Sequence, residues 1–264
     1  MLVAVELFVF SYFWNMVFRN SKLLTILFIM VWIFQLEIQA QFKHEVLVGG
    51  GIHTSGFQVA GSYTLFNKKN DGLQFIFEFS EIKNPKEKVI TAERLAIGGN
   101  SNRTYIYGKQ NNFYQFTLSA GQRFYISERT ERSIVAIAFG YQAGVELGIE
   151  KPYYLDLIYR IDPDGFRVVS ERFSETNRLK FLEPLDINGA TGFSAGWDQL
   201  TLHPGITCRG NLLFDWGPKD AISKILELGL KADIFFKNIP IMVDEQRLPI
   251  FVNLYANFYF GKRW

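Results

Sequence analysis

The sequence predicts an all-β chain, an antiparallel up-and-down transmembrane β-barrel of about ten strands within a range of eight to twelve. Three observations carry this. After residue 41 hydropathy alternates with period two, which is a strand signal. Several alternating stretches run 11–16 residues. That is longer than the roughly 5–6 residues of ordinary strands and meets the roughly 9–11 a tilted membrane strand needs. The small or polar face of these stretches also carries charges of both signs in mid-strand. A soluble barrel keeps charge in water, whereas a membrane barrel turns a polar lumen inward and an apolar face to lipid.

The elements follow in order. Residues 1–40 form a signal segment, with nine aromatics and only Glu6, Arg19, Lys22 and Glu37 as charges. Arg19 and Lys22 supply a basic region, 23–36 an apolar run too short to span a bilayer, and Ile38-Gln39-Ala40 a small-residue cleavage box. A start at Met16 would make residues 1–15 an upstream extension of the reading frame. The competing reading is an N-terminal membrane hairpin. Residues 41–264 then make the barrel.

The clearest strand is 133–148. There Val135, Ile137, Phe139, Tyr141, Ala143, Val145 and Leu147 alternate with Ala136, Ala138, Gly140, Gln142, Gly144, Glu146 and Gly148. Residues 112–126, 226–237 and 73–80 divide the same way. The full expectation is strands at 45–52, 55–66, 73–82, 112–126, 133–148, 153–161, 187–198, 200–216, 222–237 and 249–260. Turn-forming runs at 67–72, 127–132, 162–165 and 217–220 separate several of them. Tyr153, Tyr154, Trp197, Trp216, Phe258 and Tyr259 stand near strand ends, where aromatic girdles meet the membrane interfaces. With both chain ends in the periplasm, 83–111 becomes an external loop. Residues 162–186 become a long periplasmic connection, and a further hairpin there would give twelve strands.

Composition narrows the function classes. Lys plus Arg number 28 against 26 acids, a net charge of +2, so no basic footprint for nucleic acid is present. Cys208 is the single cysteine, which excludes an intrachain disulfide and a cysteine-based zinc site.

The segment 251–260, closing in Gly261-Lys262-Arg263-Trp264, resembles the C-terminal strand of bacterial outer-membrane proteins. That resemblance implies an assembly signal at Phe258, Phe260 and Trp264, with the barrel-assembly machinery and outer-membrane lipid as partners. The final Trp stands where Phe is usual. More broadly, the Ala-Gln signal end, 81–87, 108–114, 151–154 and 241–264 resemble uncharacterised outer-membrane β-barrel proteins of the Bacteroidota. The resemblance spans most of 41–264 and implies a Gram-negative outer-membrane location. It brings no reaction and no catalytic residue.

Chemistry-bearing residues are few. The expected lumen charges are Glu78, Arg123, Glu146, Asp156, Arg160, Arg209, Asp215, Glu227, Lys231 and Asp233. Lining charges can set selectivity in an open pore. In a barrel of this size they pair and fill the interior, which favours a narrow or occluded lumen. His44, His53 and His203 lack metal-ligand spacing, so no metal or other cofactor is expected. Gly49-Gly50-Gly51 reads as a bend or bulge. The chain is read as a non-enzymatic membrane barrel, structural or transport-related. Two alternatives stay open: a lipid-modifying hydrolase using His53 and Ser55 near the outer rim, and a secreted soluble β-barrel holding an apolar ligand inside.

Overall fold

The computed structural model describes residues 43–67, 71–92, 103–127, 135–162, 165–216, 222–243 and 249–264. The expected signal segment 1–40, with its extension 1–15, lies outside the described residues. So does all or part of the turns expected at 67–72, 127–132, 162–165 and 217–220.

In chain order the strands are β1 (Lys43–His53), β2 (Gly56–Phe66), β3 (Gly72–Ile82), β4 (Val89–Thr91), β5 (Thr104–Ile106), β6 (Asn111–Ser127), β7 (Ala136–Pro152), β8 (Tyr154–Asp162), β9 (Gly165–Arg172), β10 (Ile187–Ala190), β11 (Thr201–Asp215), β12 (Ile222–Phe235) and β13 (Ile250–Arg263). A single helical turn, α1 (Arg178–Phe181), follows β9. Among the described residues no helix is long and apolar enough to cross a membrane.

Eight strands close a barrel in the order β1-β13-β12-β11-β7-β6-β3-β2. Every pairing is antiparallel, and β1 meets β13 from Glu45 opposite Arg263 to His53 opposite Tyr255. The backbones of His44 and Trp264 exchange hydrogen bonds of 2.7 and 2.9 Å, so the two strand ends are joined edge to edge. Closure leaves no free edge in the wall, the condition for backbone inside hydrocarbon.

The expected count of ten is therefore corrected to eight. The segments expected as wall strands at 153–161 and 187–198 stand outside the barrel. β8 pairs with β9 and β10 in a separate three-stranded sheet. Residues 191–200 are turns, with Gly192 and Gly196 at φ +116° and +84°. The wall passes directly from β7 to β11, Thr201 facing Glu150 and Asp215 facing Ala136. The described part of the connection expected in the periplasm, 165–186, consequently lies at the end of the barrel away from Lys43 and Arg263. The segments after β3 and after β12 share that end.

The wall is inverted relative to a soluble protein. Val48, Val59, Phe77, Leu118, Val145, Ile206, Leu230, Val252 and Leu254 point out and are exposed. Glu45, Gln58, Gln74, Glu78, Thr117, Arg123, Glu146, Arg209, Glu227, Lys231, Asp233 and Asn257 point in and are buried. Gly49 and Gly51 explain how side chains fit there. A Cβ at Gly49 would lie 2.1 Å from the Phe258 carbonyl oxygen and 2.8 Å from the Tyr259 ring, and one at Gly51 would lie 1.9 Å from the Ala256 carbonyl oxygen. The register of β1 with both neighbours runs unbroken through the triplet. Close approach to β13, rather than a bulge, is what these glycines permit.

The segments at the rim build a cap. Its core is Tyr105, Leu155, Leu157, Phe181 and Ile187. Ile90, Tyr159, Phe173 and Val243 pack on it. β4 and β5 pair as a small hairpin beside it.

Candidate functional site

Alternation in each wall strand delivers one residue in two to the interior, and the interior is layered. The central layer is ionic. Lys231 Nζ lies 3.0 Å from Glu78 Oε1, 3.0 Å from Glu146 Oε1 and 3.4 Å from Asp233 Oδ2. Arg209 donates to Glu78 at 2.8 Å. Glu227 accepts from Tyr255 Oη at 2.6 Å and from Asn211 at 2.8 Å. Thr117 donates to Glu146 at 2.9 Å and Thr207 to Asp233 at 2.7 Å. These groups come from β3, β6, β7, β11, β12 and β13, so one network ties most of the wall together.

A second ionic group lies toward the Lys43 and Arg263 end of the barrel. Glu45 accepts from Arg123, from Arg263 at 2.5 Å and from Ser223 at 3.0 Å. Arg263 also bonds Asp215 at 3.1 Å. Between the two groups runs an apolar layer of Leu47, Ala60, Ile76, Ala138, Leu213, Ile225 and Tyr259. Beyond the central layer, Ile82, Phe113, Phe235, Ile239 and Ile241 form another, with Met242 and Phe251 against it. Ile239, Ile241 and Met242 belong to the segment after β12. It is strapped across the mouth: Gln110 N–H donates to the Ile241 carbonyl at 2.8 Å, and Val243 N–H to the Gly108 carbonyl at 2.9 Å. Two apolar layers thus bracket the central charges, and an eight-stranded barrel is filled by such side chains.

Of the ten expected lumen charges, Glu78, Glu146, Arg209, Glu227, Lys231 and Asp233 stand together in the central layer. Arg123 and Asp215 stand in the second group. Asp156 and Arg160 are corrected: both lie on β8, in the cap, because that strand never joins the wall. Asp156 bonds Ser170 at 2.5 Å, Thr191 at 2.6 Å and Arg103 at 2.7 Å. Burial alone would raise this carboxyl, but those hydrogen bonds and the Arg103 charge outweigh it and hold it below the usual carboxylate value of 3.8. Arg160 lies over the Phe166 ring at 5.9 Å.

Sequence reasoning missed Glu45 and Arg263, which sit at the extreme ends of the first and last strands. It also missed the pair of His203 Nε2 with Glu150 Oε2 at 2.7 Å, and that of Lys109 with Glu87 at 2.9 Å. The outward phase of the last strand carries Phe258, Phe260 and Trp264, with Phe258 packed on Phe260 at 4.6 Å and Trp264 on His44 at 5.9 Å.

The hydrolase reading turns on His53 and Ser55. The ring nitrogen Nδ1 of His53 accepts the backbone N–H of Ser55 at 3.2 Å. The Ser55 hydroxyl donates instead to Asn253 at 2.7 Å. No nucleophile–base contact exists between them. Among the described residues no group of three His, Cys, Asp or Glu is arranged to hold a metal ion. Cys208 is exposed on the outward phase of β11.

No protein-family model matches the chain, and no curated protein sequence does. Solved structures similar to it include Ail, the attachment invasion locus protein of Yersinia pestis, in complex with the heparin analogue sucrose octasulfate. That likeness has 8% identity and a TM-score of 0.39 over 85% of this chain and 99% of that one. The N-terminal β-barrel domain of Pseudomonas aeruginosa OprF is similar at 8% identity and 0.35, over 86% and 100%. Neisserial surface protein A is similar at 11% and 0.34, over 84% and 95%.

Proposed function

We propose that the chain is an integral outer-membrane β-barrel protein of a Gram-negative envelope, non-enzymatic and structural, that holds a folded cap above an occluded interior. The resemblance to barrels of the Bacteroidota supports the same reading. One observation carries it: a closed eight-stranded wall with apolar side chains exposed outward and paired charges buried inward. In water that wall would leave a continuous apolar surface exposed, far beyond the few hundred Å² a soluble monomer tolerates. This weighs against the soluble ligand-binding barrel.

The height of the outward band fits as well. On β6, Tyr114 packs on Phe79 near the cap, and ten residues later Phe124 packs on Tyr141 toward the opposite end of the barrel. At roughly 3.3 Å per residue and a tilt of about 40°, the two aromatic levels are about 25 Å apart, the height of a barrel's apolar band.

Transport is the second reading, favoured only by the charged central layer. The layers bracketing it favour occlusion. The test is heat-modified gel mobility of the outer-membrane fraction, followed by planar-bilayer recording. A mobility shift on boiling without conductance steps is the expected result. Steps would replace the structural role by transport. An unshifted protein in the soluble periplasm would overturn the membrane reading altogether.

A further inference from the structure

The turn segment 191–200, expected as part of a wall strand, leaves the cap and folds against the outside of the barrel. Trp197 stacks on Tyr114 of β6, with ring centroids 6.4 Å apart and planes 10° apart. Tyr114 continues into an outward ladder: Phe79 at 5.9 Å, Phe116 at 4.9 Å from Phe79, and Phe77 at 6.2 Å from Phe116. Phe193 meets Trp197 edge-on at 5.4 Å.

The segment is held rigidly. The Phe193 carbonyl accepts from Lys151 Nζ at 2.7 Å and from the Trp197 indole N–H at 3.0 Å. Lys151 lies 4.6 Å from the Phe193 ring and 5.3 Å from the Trp197 ring. Tyr154 donates to Gln199 at 2.9 Å. Gly196 is required where it stands: its φ is +84°, and a Cβ would lie 2.8 Å from the Pro152 carbonyl oxygen.

Despite this ordering, Phe193 remains 67% and Trp197 45% exposed. Leu200 and Leu202 are exposed beside them in sequence. A fixed pair of aromatic faces open to the outside is costly in water. It is the arrangement favoured at a membrane interface, where an indole face contacts lipid while its N–H is satisfied. The pair also sits at the level of Tyr114, the upper aromatic level of the wall.

We infer that 191–200 is a lipid-contacting foot, seating Phe193 and Trp197 in the headgroup boundary of the outer leaflet and fixing the cap, through β8 and β10, to the membrane surface. The inference rests on the membrane reading of the barrel. Its occupant is the lipid interface, continuous with the apolar band of the wall.

Single-tryptophan variants test it. One retains Trp197, with Trp14, Trp32, Trp216 and Trp264 each replaced by Phe. The other retains Trp216, which packs on Phe258 at the opposite girdle. Each is refolded into phosphatidylcholine vesicles whose acyl chains are brominated close to the headgroup. The expected result is a loss of Trp197 emission comparable to that of Trp216. Quenching of Trp216 with Trp197 unquenched and open to aqueous iodide would overturn the foot and leave the barrel reading intact. Absence of quenching in both would remove the membrane reading and the foot together. Should the multiple replacement prevent folding, Trp197→Phe in the otherwise intact chain reports by subtraction: the quenched fraction falls if the foot is in lipid, and stays constant if it is not.

Discussion

The wall and the cap are both built from alternating strands but bury them differently: a wall strand hides one face, and β8 of the cap hides both over residues 155–158. In β12 the phase Glu227, Lys231, Asp233 is buried, and Leu228, Leu230, Ile234 face out. In β8 both phases are buried over 155–158, Leu155 and Leu157 against Phe181 and Ile187, and Asp156 and Ile158 on the other face. Arg160 and Ile161 near its end are exposed. A strand specifies that its two faces differ, while the surroundings decide which face is inside. In the proposed membrane setting, lipid outside leaves the polar phase of the wall inside. The cap packs both faces of β8, the apolar one in its core and Asp156 through Ser170, Thr191 and Arg103.

The sharpest way to break this comparison is to remove a buried charge from the wall. Lys231 contacts three carboxyl groups at once, so Lys231→Met leaves Glu78, Glu146 and Asp233 facing one another with Arg209 alone. Uncompensated buried charge of this kind costs about 3–5 kcal/mol. The expected outcome is heat modification at a markedly lower temperature, or failure to fold, read on the gel. An unchanged transition would mean that the central layer is not buried as a unit.

The same contrast shows which parts were legible in the sequence. The wall was, because its signal is long: 112–126 was expected and Asn111–Ser127 is found, 73–82 was expected and Gly72–Ile82 is found. Length is what separates a membrane strand from an ordinary one, and β8, with nine residues, falls where the two distributions meet. Its alternation was real and its assignment to the wall was wrong. Asp156 and Arg160 followed it into the expected lumen for that reason. The segment 187–198 failed differently: it leaves the strand after four residues, and Gly192 and Gly196 at positive φ follow in the turns. Glu45 and Arg263 were missed because one starts the first expected strand and the other lies beyond the last one expected, and only closure of the barrel brings them to one place.

A second comparison exchanges exposed leucines. Leu118 on β6 is 58% exposed and Leu179 on α1 is 89% exposed. To a soluble surface both would be tolerant positions. With lipid around the wall, Leu118→Arg costs about 2–4 kcal/mol if it lies near the bilayer midplane. Leu179→Arg stays within roughly 0.5 kcal/mol as an ordinary surface change. Denaturant titration in lipid vesicles measures both. Equal, small effects would mean that the outward face of the wall meets water.

The smallest effect belongs to the cap alone and depends on pH. Asp156 is held below the ordinary carboxylate value of 3.8 because Ser170, Thr191 and Arg103 bond its charged form. A group whose value is lowered on folding stabilises the folded state in full above the unfolded value. That contribution disappears as pH falls through the lower folded value. The cap therefore loosens as pH drops below about 3.8. The loss is roughly 1 kcal/mol, the worth of hydrogen bonds to one charged group reduced by solvent screening at a partly open site. Pepsin cleavage between β9 and β10, measured as pH is lowered, reads it directly. The cap also carries Glu87 and Glu171, so Asp156→Asn isolates the effect. That variant is expected to be cut faster than the parent above 3.8, the difference shrinking below 3.8 and vanishing once pH has fallen through the lowered folded value. Parallel profiles for the two chains would mean that the Arg103 contact does not order the cap, and that its apolar core alone does.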